Sequence, residues 1–242
     1  MELHREQVLF NDRYDSGRQL AQRLIEYQGQ SVLVLAIPNG GVPVGLEIAR
    51  TLDANLGVVI VRKLPLPLNP EAGFGAMADD GSVIMNKELI EKTGLTPEQV
   101  NAQIDKVRND IRQRSLLYRK DKPLALTRGK IVIIVDDGLA SGFTMKAAIE
   151  SVRRRQPEEV IVAVPVASDS AIEQIKPTAD KIITVTVDSK PQFSVASFYR
   201  RWYDLNDKEV IQCLEEWYAR RFWSNIKSSS QQQGIVCVTG EK

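Results

Sequence analysis

The sequence predicts an α/β single domain with a mainly parallel central sheet flanked by helices. Five short runs carry this reading: Ser31–Ile37, Gly57–Val61, Lys130–Val135, Val160–Val164 and Lys181–Val187. Each is apolar and rich in Val and Ile without alternation, the pattern of a strand buried on both faces of a parallel sheet. Helical spacing fills the intervals between the runs. Strand–helix–strand alternation gives βαβ units and a sheet covered on both sides.

The elements follow in order. Leu20, Leu24 and Tyr27 mark a helix before the first strand, and Val44, Ile48 and Leu52 mark one after it. Leu64–Asn86 contains three prolines at its start, which forbid a helix or central strand there. Phe74–Ala78 and Ser82–Met85 can then pair around an Asp80-Gly81 turn. Long excursions of this kind often serve as lids, so a β-hairpin lid is expected. Thr96-Pro97-Glu98-Gln99 is a capping box with proline in the first turn. Val100, Ile104, Val107 and Ile111 line one face of that helix, and Lys106, Arg108, Arg112 and Arg114 the solvated one. Met145, Ala148, Ile149 and Val152 mark a helix after the third apolar run. Val210, Ile211, Leu214 and Trp217 mark one over Asn206–Trp223. The domain is expected over residues 1–223, with 224–242 a mostly disordered tail built on Ser-Ser-Ser-Gln-Gln-Gln.

Composition narrows the function. Among 242 residues, Lys+Arg 32 against Asp+Glu 31 leaves a net charge of +1, which argues against a general nucleic-acid binder. The single histidine, His4, leaves no basis for His triads or His-ligated metal sites. Cys213 and Cys237 form no metal or redox spacing and fit a reducing, cytoplasmic setting. No apolar run approaches the length of a membrane span, and Met1–Asn11 lacks the apolar stretch of a secretory signal. Gly73-Phe-Gly-Ala-Met-Ala78 matches a dinucleotide fingerprint by letters only, because prolines precede it and a turn follows it. No phosphate-binding G-x-x-x-x-G-K-[ST] motif is present.

The informative segment is Ile131-Val-Ile-Ile-Val-Asp-Asp-Gly-Leu-Ala-Ser-Gly-Phe-Thr144. A buried strand ends in two adjacent carboxylates. A short loop with Gly138 and Gly142 follows, and Ser141 and Thr144 open a helix. In an open parallel sheet the ligand sits beyond the carboxyl ends of the strands. The helix N-terminus offers N–H groups and positive dipole to a phosphate. Asp136 and Asp137 repel that phosphate and call for donors or cations instead. A ribose with free 2′- and 3′-hydroxyls and a 5′-phosphate satisfies both halves.

This segment resembles the phosphoribosyl-pyrophosphate (PRPP) motif of type I phosphoribosyltransferases. Asn69–Ala76, Asp137–Gly142 and Phe193–Tyr199 are similar to an uncharacterised subgroup of that family, and the resemblance covers roughly residues 5–220. It implies that Asp136 and Asp137 hold the ribose hydroxyls and that Ala140, Ser141, Gly142, Phe143 and Thr144 cradle the 5′-phosphate, with Gly138 and Leu139 as further substrate-binding positions. Ala36–Ala49 resembles the family's pyrophosphate loop, which places Asn39, Gly40 and Gly41 against the leaving group. Arg62 and Lys63 would neutralise it. The implied catalytic residues are Asp136, Asp137 and Lys63. The implied cofactor is Mg2+, held indirectly by Asp136 and Asp137 through water or ribose hydroxyls. Some relatives carry an acidic base where Ala140 stands; here the acceptor needs no base, or Glu71 or Asp79 supplies one.

The implied function is transfer of ribose 5-phosphate from PRPP to a nucleophilic acceptor, a nucleobase or similar group, with release of pyrophosphate. The alternative is a non-catalytic PRPP- or nucleotide-sensing module. Phe193, Phe198, Tyr199 and Trp202 are candidate stacking groups for the acceptor. No membrane or nucleic-acid partner is expected, and a homodimer is the default assembly.

Overall fold

The computed structural model describes residues 8–67, 69–120, 123–190 and 192–233, without the side chains of Pro70, Glu71 and residues 222–233. In chain order the elements are α1 (Arg13–Gln22), β1 (Val32–Ala36), α2 (Gly41–Leu52), β2 (Asn55–Val58), β3 (Val61–Leu66), β4 (Asn69–Ala78), β5 (Val83–Met85), α3 (Lys87–Thr93), α4 (Pro97–Arg119), β6 (Ile131–Val135), α5 (Phe143–Arg153), β7 (Glu159–Ser168), α6 (Asp169–Ile175), β8 (Lys181–Asp188) and α7 (Asp207–Gln233).

The central sheet has the order β2-β1-β6-β7-β8, and every pairing is parallel. The apolar runs explain why. All five residues of β1 and of β6 are buried, as parallel strands covered on both faces must be. One run divides differently from the expectation. Gly57–Val61 is not a single strand: Gly57 and Val58 pair with Leu35 and Ala36, and the chain then turns away so that Val61 opens an antiparallel sheet. Both halves are apolar because both are buried, so composition alone cannot reveal the break.

The capping box closes as its sequence dictates. The Thr96 side chain accepts from the Gln99 N–H, and Gln99 Oε1 accepts from the Thr96 N–H at 3.0 Å. α7 places Val210, Cys213, Leu214 and Trp217 in the core, one face at helical spacing packed on α2. Its backbone stays helical to Gln233, into the stretch expected as tail, and residues 234–242 lie outside the described residues.

The second sheet has the order β3-β4-β5, with the expected hairpin at its centre: Ala76 faces Ile84 and Met77 faces Val83 around the turn, where Gly81 has φ +88°. Phe74 and Met77 belong to the cluster that includes Val107 and Ile111 of α4. Ala76 and Ala78 belong to the one that includes Met145 and Ile149 of α5. Leu64 and Phe74 are fully buried. The hairpin expected as a lid is thus anchored in the core on both faces. Lifting it as a unit would expose these side chains, at roughly 1.5–3 kcal/mol for each large one.

Candidate active site

β6 lies between β1 and β7, so the chain leaving its carboxyl end enters the crevice where ligands bind in open α/β sheets. Asp136 and Asp137 stand at this exit, both partly buried, with the Asp137 N–H donating to Asp136 Oδ1 at 2.8 Å. Burial, and then the neighbouring Asp137 charge, hold the Asp136 carboxyl well above the usual carboxylate range. Asp137 has its own cation. Arg13 Nε of α1 lies 2.7 Å from Asp137 Oδ2, and both side chains are largely buried, 7% and 15% exposed. Burial still raises the Asp137 carboxyl above its ordinary value, although Arg13 opposes the rise.

Arg13 is held in turn. Its Nη1 donates to the Tyr203 carbonyl at 2.9 Å, and its guanidinium lies 3.9 Å from the centre of the Trp202 ring. The Tyr199 hydroxyl donates to the Asp137 carbonyl at 2.6 Å, and Tyr199 packs between Phe10 and Trp202. Tyr199 and Trp202, considered as stacking groups for an acceptor, therefore brace the acid pair instead. Nothing local in the sequence points to Arg13.

The loop after the acids is stitched to the end of β7. The Leu139 N–H donates to the Val166 carbonyl, Ser168 N–H donates to the Leu139 carbonyl, and Ser168 Oγ donates to the Ala140 carbonyl, each at 2.9 Å. Gly138 faces Val195, whose methyls occupy the space a Cβ would need. Gly142 caps α5 with φ +76°, a left-handed conformation that favours glycine, and no side chain caps the helix. The first N–H groups of α5, from Phe143 and Thr144 onward, have no intrahelical acceptor and carry the positive end of the dipole. Ala140 and Ser141 are exposed beside them. A cavity of about 380 Å³ adjoins this loop, lined by Ala140, Ser168, Asp169, Asp188, Lys190 and Phe193.

The glycine loop between β1 and α2 meets the acid pair. A Cβ at Gly40 would overlap the Asp137 carboxylate, and one at Gly41 would come within 2.6 Å of the Val135 carbonyl. The Pro38–Asn39 peptide is cis. The Asn39 side chain turns into the body of the protein: Nδ2 donates to the Leu205 carbonyl at 2.7 Å, and Oδ1 lies 3.0 Å from the Tyr118 hydroxyl. What this loop offers a ligand is therefore backbone.

Arg62 pairs with Asp110 of α4 at 2.9 Å, and the Lys63 stem lies over Gly73. Asp79, considered as a base, is inaccessible to an acceptor: its side chain is fully buried, 2.9 Å from Arg119, and accepts from the Ile60 N–H at 3.2 Å. The Glu71 side chain lies outside the described residues. Among the described residues no group of three or more His, Cys, Asp or Glu side chains is arranged to hold a metal by itself, and no helix is long and apolar enough to cross a membrane.

Comparison with known proteins agrees with this fold. The crystal structure of TT1426 from Thermus thermophilus superposes with a TM-score of 0.71 at 34% identity, covering 86% of this chain and 99% of that one. Two Mycobacterium tuberculosis proteins, Rv0571c of strain H37Rv and MT0597 of strain CDC 1551, are named provisionally as phosphoribosyl transferases. Each is 37% identical over 207 residues, which is 86% of this chain and 46% of the relative. The chain thus spans about half the length of these curated relatives. The family model described as the phosphoribosyl transferase domain matches residues 6–198, the stretch that holds the glycine loop, the acid pair and the loop that opens α5, and the chain belongs to that family.

Proposed function

We propose that this domain transfers the 5-phosphoribosyl group of PRPP to a nitrogen nucleophile, with release of pyrophosphate. The observation that carries this reading is the contact between the two loops. The backbone of Gly40 packs on the Asp137 carboxylate, so an anion-binding loop, an acid pair and a free helix N-terminus line one crevice. A ribose bearing a pyrophosphate at one end and a phosphate at the other matches that order: pyrophosphate on Asn39–Gly41, hydroxyls on Asp136, and 5′-phosphate on Ala140–Thr144.

The reaction breaks the C1′–O bond to pyrophosphate and forms a bond from the acceptor nitrogen to C1′. The protein's part is to align the two ends and to stabilise the charge that gathers on the leaving group. Asp136 accepts from the ribose hydroxyls. Asp137, fixed by Arg13, keeps the loop in register. The cavity beside Ala140, with Phe193 on its wall, receives a nucleobase or similar planar acceptor.

The acid pair also fits Mg2+. It consists of oxygen donors alone, and the Asp136 carboxyl is raised by burial and a like charge, with no ion pair of its own among the described residues. Asp136 would hold the ion through water, and the ion would supply charge neutralisation to the pyrophosphate oxygens. A cytoplasmic setting is supported by Cys213, a buried free thiol within 3.2 Å of the Tyr14 hydroxyl.

The test is pyrophosphate release from PRPP with Mg2+ across a panel of nucleobases. Acceptor-dependent release is expected. Gly142→Val, which places a branched side chain at φ +76° in the phosphate cradle, is expected to abolish it. Release at the same rate without an acceptor would mean hydrolysis, and tight binding with no release would mean sensing; either would contradict the transferase reading.

A further inference from the structure

The face of α4 read from sequence as solvated surface carries an arginine that reaches the glycine loop. Arg114 Nη1 lies 3.3 Å from Asn39 Oδ1, 2.9 Å from the Tyr118 hydroxyl and 3.0 Å from Asp207 Oδ1 at the start of α7. Its Nε lies 3.3 Å from Asp110 Oδ1, and Asp110 uses its other oxygen to hold Arg62 at 2.9 Å. Arg114 is 21% exposed, and its Nη2 makes no hydrogen bond among the described residues. Asn39 Nδ2 also lies 3.3 Å from Asp207 Oδ1, so loop, α4 and α7 close on one carboxylate.

Two arginines and two aspartates make this cluster neutral. The Asp207 carboxyl is held below its ordinary range, first by its hydrogen bond from Tyr118 and, with it, by the Arg114 charge, so it stays ionised at neutral pH.

We propose that Arg114 is a positioning residue for the leaving group: it fixes the Asn39–Gly41 loop and supplies the positive charge of its pyrophosphate half, with Asp207 setting how much of that charge a ligand feels. The proposal rests on the reading of Asn39–Gly41 as the pyrophosphate loop. A guanidinium is suited to this, because Asn39 and Asp207 on Nη1 and Asp110 on Nε hold its charge at a fixed place behind the loop.

Calorimetric titration with Mg·pyrophosphate and, separately, with ribose 5-phosphate tests it on the full chain. R114Q is expected to weaken pyrophosphate roughly 10–100-fold, the loss of a charged hydrogen bond, while leaving ribose 5-phosphate unchanged. R114K, which keeps the charge, is expected to recover most of that loss. D207N removes the competing carboxylate and is expected to tighten pyrophosphate. A purely structural role predicts the opposite sign for D207N, so this variant decides the matter even if R114Q fails to fold. Wild-type protein that binds both ligands, with pyrophosphate unchanged in R114Q or weakened in D207N, would overturn the role of Arg114 alone. Wild-type protein that binds neither ligand would overturn the functional reading and this proposal with it.

Discussion

Arg13→Met is expected to destabilise the protein by about 3–5 kcal/mol at neutral pH, because it leaves Asp137 charged and buried without its partner. The variant also loses the donor to the Tyr203 carbonyl and the contact with Trp202. The pH dependence has a definite sign. Burial already raises the Asp137 carboxyl with Arg13 in place, and without Arg13 it rises further. An acid whose folded pKa lies above its unfolded value of ~3.9 weakens the fold once pH exceeds that value. The deficit against wild type is therefore full at neutral pH and shrinks as pH falls through the variant's elevated titration. Denaturant unfolding at pH 7.5 and pH 5 measures it. A deficit that grows on acidification would contradict the assignment.

Asp136→Asn is expected to move stability and binding in opposite directions. The Asp136 carboxyl is raised by burial and by Asp137, so its charged form weakens the folded state above the unfolded pKa. Asparagine lacks that charge. The variant should be more stable than wild type at pH 7 and equal to it near pH 3, where both carry a neutral side chain. Its affinity for Mg·PRPP should fall roughly 10–100-fold, the worth of a charged hydrogen bond to a ribose hydroxyl. Thermal unfolding and calorimetry on the same sample read both effects. Unchanged affinity would remove Asp136 from the ribose site. Asp137 gives no such clean test, because replacing it also breaks the pair with Arg13.

The parts of the site that the sequence makes legible are local. β6, the acid pair, the small-residue loop and the start of α5 are contiguous, and each is governed by short-range rules: a buried strand, two charges at its end, a left-handed glycine, a free helix N-terminus. Long-range partners leave no such trace. Arg13 is 124 residues from Asp137, and Arg114 is 75 from Asn39. On their own helices both read as ordinary surface arginines. The Gly57–Val61 run hides a change from parallel to antiparallel pairing because both sheets bury their residues there. Tyr199 and Trp202 look like base-stacking groups in the sequence, since an aromatic bracing a buried ion pair has the same composition as one facing a ligand. The hairpin is legible from its Asp-Gly turn, but its anchoring is not, because Phe74 is buried in a cluster whose members, Val107 and Ile111 of α4 among them, are distant in sequence.

In the proposed function the Asn39–Gly41 loop and the Asp136–Thr144 segment hold opposite ends of a single ligand in one crevice. Competition calorimetry tests this most directly: Mg·PRPP is titrated into protein saturated with ribose 5-phosphate, with pyrophosphate, or with both. Each half-ligand is expected to compete with PRPP, the two halves to bind together without displacing one another, and PRPP to exceed either half in affinity by about 100-fold or more, as linked ligands at one site do. PRPP binding that is indifferent to saturating pyrophosphate, or to saturating ribose 5-phosphate, would contradict it.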